Sequence, residues 1–433
     1  MIIILVCMVL IVHTNILNEP RSLSPTLVLG FLLLSSYIFG YLLEKVKVPR
    51  ITSYIFSGLI LGPYVLEFFS PKVIESLSFL NSLALAFIAF CAGGELHLKS
   101  LRSKLKSILF LIVGVTSIVF IGVTLSVFAI SQFIPFMEAY DAKVRFAISS
   151  IFGVIAVARS PSSTIAIISE TKAKGPLTET VLAVIVVTDV IIIMLFAGVI
   201  SLSQIIIKSG DSLNFTFILG LFVEISIAFL LGYFLGRSII FLIERVHLEF
   251  PVVIATMGFI VIKFCHLLSE YLHEVHDISL SLEPLLICMM AGFTVQNFSK
   301  HGETFLSRLD DVSLPIYVAF FSITGASINL SVLKTGWITG MIVLVSRTTM
   351  MFIGSYFSGK LAGDSPKIYK NTWLGFITQA GVSLGLLTEV VRRFPEIGVP
   401  IQSILIASIT FNQVIGPVAF KYSLNNVGEA NNQ

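Results

Sequence analysis

The sequence is poor in charge. Lys, Arg, Asp and Glu make up 12% of its 433 residues, against 56% hydrophobic ones, at a mean hydropathy of +0.96. A soluble domain carries about 25% charged residues, so a water-facing globule is excluded and the chain reads as a polytopic membrane protein. It is short of cysteine too: Cys7, Cys91, Cys265 and Cys288 all lie in apolar runs, which rules out a disulfide framework or a thiolate metal cluster. It has no GxxxxGKS loop, no HExxH and no GxSxG elbow, so no enzyme is expected and no cofactor. Connections are no longer than about a dozen residues and nothing is low-complexity, which argues for one transmembrane domain without linkers. The net charge of +3 comes from loop Lys and Arg and points to no nucleic-acid partner.

What remains is apolar sequence cut to bilayer length. Segments near the ~20 residues a spanning helix needs fall at 24–43, 51–69, 75–96, 107–134, 145–168, 178–207, 214–243, 250–272, 279–298, 312–333, 335–359, 370–391 and 397–420. The expected architecture is all-α. Residues 1–23 form an extra apolar segment, 24–422 the transmembrane domain, and 423–433 a short cytoplasmic tail with no nucleotide-binding domain appended. Residues 1–17 lack the basic start and small-residue cleavage site of a signal peptide and are expected to form a helix. One set of alternate loops holds 17 Lys and Arg and the other 8. The positive-inside rule puts the richer set, and the C-terminus, in the cytoplasm.

Within this apolar background Asp189 is the singular residue. It sits inside a Leu, Ile and Val run from 181 to 200. A mid-span carboxylate is costly and by default functional; the alternative is a structural Asp paired inside a bundle. Two segments look like interrupted helices. Residues 156–164 read AVARSPSST, and Pro161 removes a backbone donor and clashes with the preceding turn. Residues 376–385 read FITQAGVSLG, where Gly381 and Gly385 weaken the helix. Such breaks are tolerated in lipid only where buried or lining a cavity; the plainer reading is a Pro kink and small-residue helix packing. Ser160, Ser162, Ser163, Thr164, Thr378 and Gln379 would bring oxygens near them. A weak repeat aligns 90–101 with 322–333, matching Gly93 to Gly325, and Gly58 in SGLI falls opposite Gly292 in MAGF. Chance can produce two such matches. A true repeat with an odd number of intervening spans would be inverted, a common secondary-transporter build.

Three basic residues fall inside spans. Arg347 lies about 12 residues into its segment, too deep to snorkel easily, and is expected to balance the ends of the broken helices or to pair with Asp189. Arg159 precedes the first break, its role open. Lys263, with His266, is read as structural or lipid-facing, Glu95 and Glu389 as gate or interface residues, and Glu224 is unassigned.

The ordered stretches VPRITSYIFSGLILGP (48–63), GGEL (93–96), RSPSS (159–163) with KGP (174–176), TD (188–189), EPLL (283–286) with AG (291–292), FF (320–321) with GA (325–326), and QAGV (379–382) resemble the monovalent cation:proton antiporters. The likeness is to the branch holding bacterial sodium/proton exchangers and the membrane unit of glutathione-gated potassium efflux systems. The resemblance covers about 24–422. It implies two crossed broken helices in a core domain, a separate dimerisation domain, an elevator-like movement, and a homodimer in lipid, in a bacterial inner membrane. It also implies Na+ or K+ and H+ as the exchanged ions, with Asp189 binding cation or proton, Thr188 beside it, and Arg347 as the charge-balancing residue. The position before that Asp is Asp, Asn or Gln elsewhere in the family. Thr188 carries no charge, so electroneutral exchange is expected, with sodium favoured and potassium open. The competing expectations are a potassium efflux pathway and a sodium-coupled organic-anion symporter.

Overall fold

The computed structural model describes residues 24–45, 48–98, 102, 104–208, 215–245, 250–276, 282–328, 330–379 and 381–431; the N-terminal segment 1–23 lies outside them. In chain order the helices are α1 (Pro25–Glu44), α2 (Arg50–Leu61), α3 (Pro71–Ser76), α4 (Ser78–Gly94), α5 (Leu105–Ile130), α6 (Ala142–Val157), α7 (Pro161–Thr171), α8 (Pro176–Lys208), α9 (Phe215–Arg245), α10 (Phe250–His276), α11 (Pro284–Phe298), α12 (Gly302–Ala326), α13 (Leu330–Ala362), α14 (Pro366–Tyr369), α15 (Gly381–Arg393) and α16 (Pro395–Val427). Short 3-10 turns occur at Ser131–Phe133 and Thr372–Phe376. Each of the thirteen expected segments contains a helix. Among the described residues, nine spans are long and apolar enough to cross a membrane, and α2, α4 and α11 are shorter apolar helices. The protein is an integral, multi-pass membrane protein.

The ends of these helices follow ordinary rules. The Asp141 carboxylate accepts from Val144 N at 2.9 Å and starts α6; proline opens α7 and α8, where its fixed φ suits the first turn. Gly428, at φ 84°, closes α16. α16 runs past the expected end of the transmembrane domain, and the residues after it fold back. Glu429 accepts from Leu177 N (2.7 Å), Thr178 N (2.8 Å) and Thr178 Oγ1 (2.7 Å), while Asn431 N donates to the Thr171 carbonyl (2.9 Å). The last carboxylate of the described chain therefore caps the helix that carries Asp189.

Packing divides the helices into two groups. In one, α5 packs on α6 and α13, α6 on α8, and α16 on α13 and α15. In the other, α2 packs on α1 and α12, α4 on α10, α11 and α12, and α9 on α11. The second group is crossed by glycine. A methyl at Gly58 would strike the Ser322 carbonyl, and one at Gly325 the Ile55 carbonyl; one at Gly93 would strike the Met289 carbonyl, and one at Gly292 the Phe90 carbonyl. The α2–α12 and α4–α11 crossings are thus backbone against backbone. The weak sequence repeat pairs Gly58 with Gly292 and Gly93 with Gly325, so it carries one crossing onto the other.

Membrane helices gain little from hydrophobic burial against one another and depend on such close packing. Gly58→Ala and Gly93→Ala should each lower stability by about 1–3 kcal/mol, as overpacking does. Gly30→Ala, where the added methyl meets nothing within 4 Å, should be neutral. Thermal unfolding of detergent-purified protein followed by size-exclusion chromatography reads this; equal melting of all three would refute the crossing.

Candidate functional site

The site is made where two helices stop in mid-bundle. α6 ends at Val157 and α7 begins at Pro161; Ala158 and Ser160 between them are extended. The second break separates the Thr372–Phe376 turn from α15. The breaks meet directly: Ser160 N donates to the Thr378 carbonyl at 2.9 Å. Broken helices leave carbonyls without intrahelical partners, and in an apolar bundle each such group costs several kcal/mol.

Arg347 on α13 answers that need. Its side chain is fully buried. Nε donates to Ala156 O (2.7 Å), Nη1 to Ile377 O (2.7 Å), and Nη2 to Ala158 O (3.0 Å) and Phe376 O (3.2 Å). The planar fork of Arg offers several donors at fixed angles, and here they join the C-terminal ends of both half-helices. Of the two roles expected of Arg347, the geometry is that of end-balancing; its nitrogens are occupied by carbonyls rather than by Asp189. Gln379 adds a second tie, with Nε2 donating to Ile155 O (3.1 Å) and Oε1 accepting from Asn412 Nδ2 (2.8 Å).

Beside this junction lies a cavity of about 330 Å³. Asp189, Ser160, Ser162 and Glu283 give it its polar wall; the rest is apolar residues of α4, α7, α8, α11 and α15. Asp189 is thirteen residues into α8, about 20 Å along it at 1.5 Å per residue. Its Oδ1 is buried and without a hydrogen-bond partner. Ser160 Oγ lies 3.0 Å from Ser162 Oγ.

The other expected oxygens are engaged elsewhere. Thr188 Oγ1 donates to Val184 O (2.6 Å) and accepts from Arg159 Nη1 (2.9 Å). Ser163 Oγ accepts from Ser160 Oγ (3.3 Å), and Thr164 Oγ1 donates to Ser160 O (3.1 Å). Thr378 contributes its carbonyl, and Gln379 the ties above. So Asp189, Ser160 and Ser162 come together on the cavity, whereas Thr188, Ser163, Thr164, Thr378 and Gln379 brace the breaks behind it. Glu389 bonds Arg392 and Arg393 on its own helix, Glu95 lies at the end of α4 near Asp310, and Lys263 is exposed.

Sequence reasoning did not place two residues. Glu283, the N-cap of α11, brings a second carboxylate to the cavity; its EPLL motif marked it without giving it a role. Arg159 is buried against Thr188, with its guanidinium 4.4 Å from the centre of the Phe376 ring. Its position one residue before Ser160 was the signal.

A membrane bundle in which two interrupted helices meet beside a buried carboxylate is the build of an ion-coupled secondary transporter. The sequence profile of the transmembrane sodium/hydrogen exchangers matches residues 30–419, and the chain belongs to that family, whose members are transporters and not enzymes. A curated relative, described as a probable Na(+)/H(+) antiporter 3 of Methanocaldococcus jannaschii, is 25% identical over 398 residues, covering 90% of this chain and 95% of the relative. Two solved structures of the sodium proton antiporter MjNhaP1 of the same organism share the fold. One, at pH 8, has a TM-score of 0.62 at 18% identity, over 94% of this chain and 95% of that one. The other, from electron microscopy, has a TM-score of 0.67 at 20% identity, over 90% and 93%.

The arrangement assigns Arg347 a structural duty that charge alone does not fulfil. Arg347→Gln should lose at least about 3 kcal/mol, because buried carbonyls left unpaired cost about 1–3 kcal/mol each. Arg347→Lys, with one ammonium for several acceptors, should fall between that variant and the parent. Melting temperatures in detergent check the order; a Gln variant as stable as the parent would sink the assignment.

Proposed function

We propose that this protein exchanges a monovalent cation, sodium in preference to potassium, for protons across the membrane, by competition at Asp189. The observation that carries the reading is the unpartnered Oδ1 of Asp189 on a cavity wall at the meeting of two broken helices, in a chain of the sodium/hydrogen exchanger family. One carboxylate holds either a proton or a cation, and that competition couples the two fluxes. Sodium is a hard ion that wants several oxygens; Asp189, Ser160 and Ser162 supply them, and water completes the shell. Glu283 stands exposed at the start of α11, where a carboxylate raises the local concentration of cations.

Several features support an elevator-like movement of the first helix group, as a core domain, against the second, as the dimerisation domain of a homodimer. The cavity lies between the groups, with Asp189 on one wall and Glu283 on the other. Glu283 starts α11, and the far end of α11 leads into the connection at 299–308, one of the set of loops that together hold the larger share of Lys and Arg; on this orientation the cavity mouth is on the outer face. The cytoplasmic end of α7 is tied to the second group: Glu170 accepts from Arg50 N (3.2 and 3.1 Å), and Ser169 Oγ donates to Asp310 Oδ1 (3.1 Å). An inward-facing state has to part these bonds. The glycine crossings and the matched breaks support an inverted repeat. We place the protein in a prokaryotic plasma membrane, of which the bacterial inner membrane is one case.

Asp189→Asn keeps shape but neither takes up nor releases a proton. In proteoliposomes with an internal pH dye it should abolish proton movement driven by sodium, lithium or potassium, while folding normally. Full exchange by that variant would refute the assignment.

Thr188 leaves Asp189 as the single carboxylate at the cavity floor, so one cation replaces one proton. Exchange should therefore be insensitive to an imposed membrane potential at constant pH gradient. Reproducible acceleration by voltage would bring Glu283 in as a second carrier of charge and exclude the one-for-one scheme.

A further inference from the structure

The two deep arginines are used differently. Each side-chain nitrogen of Arg347 donates to a carbonyl. Arg159 is as deeply buried, at 1% exposure, yet only Nη1 is engaged, on Thr188 Oγ1; Nε and Nη2 have no partner. One residue beyond Thr188, Oδ1 of Asp189 also has none. A buried unsatisfied polar group costs about 1–3 kcal/mol, and a charged one more. The same small volume thus holds two unused cationic donors and one unused anionic acceptor.

We infer that Arg159 is a resident counter-cation of the transport site, which swings onto Asp189 when the carboxylate is ionised and empty and which an arriving cation displaces. The inference rests on the reading of Asp189 as the cation site. The side chain stands on the non-helical residues between α6 and α7, within one residue of the cavity-lining Ser160. In the observed position one face is held by the Phe376 ring at 4.4 Å. Such a contact is worth about 0.5–2 kcal/mol, less than a charge-assisted pair in a buried site, so the arginine can leave it. The charges facing Asp189 are Arg159, from the α6–α7 break, and Glu283, from α11; Arg347, on α13, lies near Arg159 and is held by carbonyls. Arg159 is therefore the cation with donors in reserve. Empty, the Arg159–Asp189 couple is neutral. Loaded with one monovalent cation it carries one positive charge, and a second cation meets repulsion. The residue would set cation affinity by competition, holding it low enough for release.

The test is a sodium titration of full-length protein in liposomes, at one fixed alkaline pH, comparing KM with kcat. Arg159→Gln keeps a donor for Thr188 but removes the competing charge, and KM should fall at least about fivefold, the effect of losing a nearby charge, whatever happens to kcat. Arg159→Lys keeps the charge and should hold KM within about twofold of the parent. Phe376→Leu removes the parking ring, frees the guanidinium toward Asp189, and should raise KM. A folded Arg159→Gln protein with unchanged or raised KM overturns the inference. Should that variant not fold, Phe376→Leu with unchanged or lowered KM overturns it instead. Loss of exchange in Asp189→Asn alongside an unmoved KM in Arg159→Gln would defeat this inference alone, whereas exchange that survives Asp189→Asn would defeat the cation site and this inference with it.

Discussion

The structure depends on satisfying backbone carbonyls where no water can reach them. Lipid-filled surroundings force a spanning chain to make its hydrogen bonds internally, and two of the helices here stop half-way. The guanidinium of Arg347 joins the two broken ends, through Ala156 and Ala158 on one side and Phe376 and Ile377 on the other. Without that fork the breaks would close into continuous helices or draw water into the bundle. With it the chain keeps irregular backbone at the level of Asp189, and with the irregular backbone come the Ser160 and Ser162 hydroxyls on the cavity wall. A positive charge suits the place for a second reason. Helix C-termini carry partial negative charge, so both half-helices favour a cation between them.

The second helix group solves a different problem with different residues. Its helices cross through Gly58, Gly93, Gly292 and Gly325, with main chain against main chain. Such contacts leave no side chains to re-sort and make a stiff frame. The first group and α7 meet it around a cavity, by packing of α16 on α2, α8 on α9 and α7 on α4, and through polar ties from α7, Glu170 to Arg50 N and Ser169 to Asp310.

How much of this could be read beforehand follows from the range of each signal. Asp189 was legible because one carboxylate in a run of Leu, Ile and Val has few structural reasons to exist. The first break was written in Pro161, the second in Gly381, with which α15 begins, whereas Gly385 lies inside α15 and breaks nothing; the depth of Arg347 was written in its segment length. Which oxygens face the cavity was not legible. Thr188 adjoins Asp189 in sequence, but residues adjacent on a helix point about 100° apart, and its hydroxyl turns to Val184 O and Arg159. Gln379 sits in the second break but is drawn to Ile155 and Asn412. Glu283 reaches the cavity from a helix start 94 positions beyond Asp189. Glu429, in a segment expected to be a plain tail, caps α8. None of these contacts has a period or a neighbourhood in the sequence; each depends on which helices meet.

Unpartnered hydroxyls such as those of Thr52 and Ser57 occur in the frame as well; what sets the site apart is that its unpartnered atoms belong to charged groups. Around the breaks Arg347 is matched with carbonyls, Gln379 with Ile155, Asn412 and Ser383, and Ser160 N with Thr378, while Asn412 Oδ1 has no partner. Among the charged groups of the breaks and the cavity, Asp189 Oδ1 and the Nε and Nη2 of Arg159 are without a partner. A protein that merely tolerated a buried aspartate would pair it, since removing the mismatch would gain stability at once. Leaving opposite charges unpaired in one buried volume is tolerated beside a braced backbone, and on the proposed reading it keeps the carboxylate available to an arriving cation or proton. A group saturated by the protein cannot bind an ion reversibly. A group left short of partners, on a cavity wall, beside a rigid junction, can.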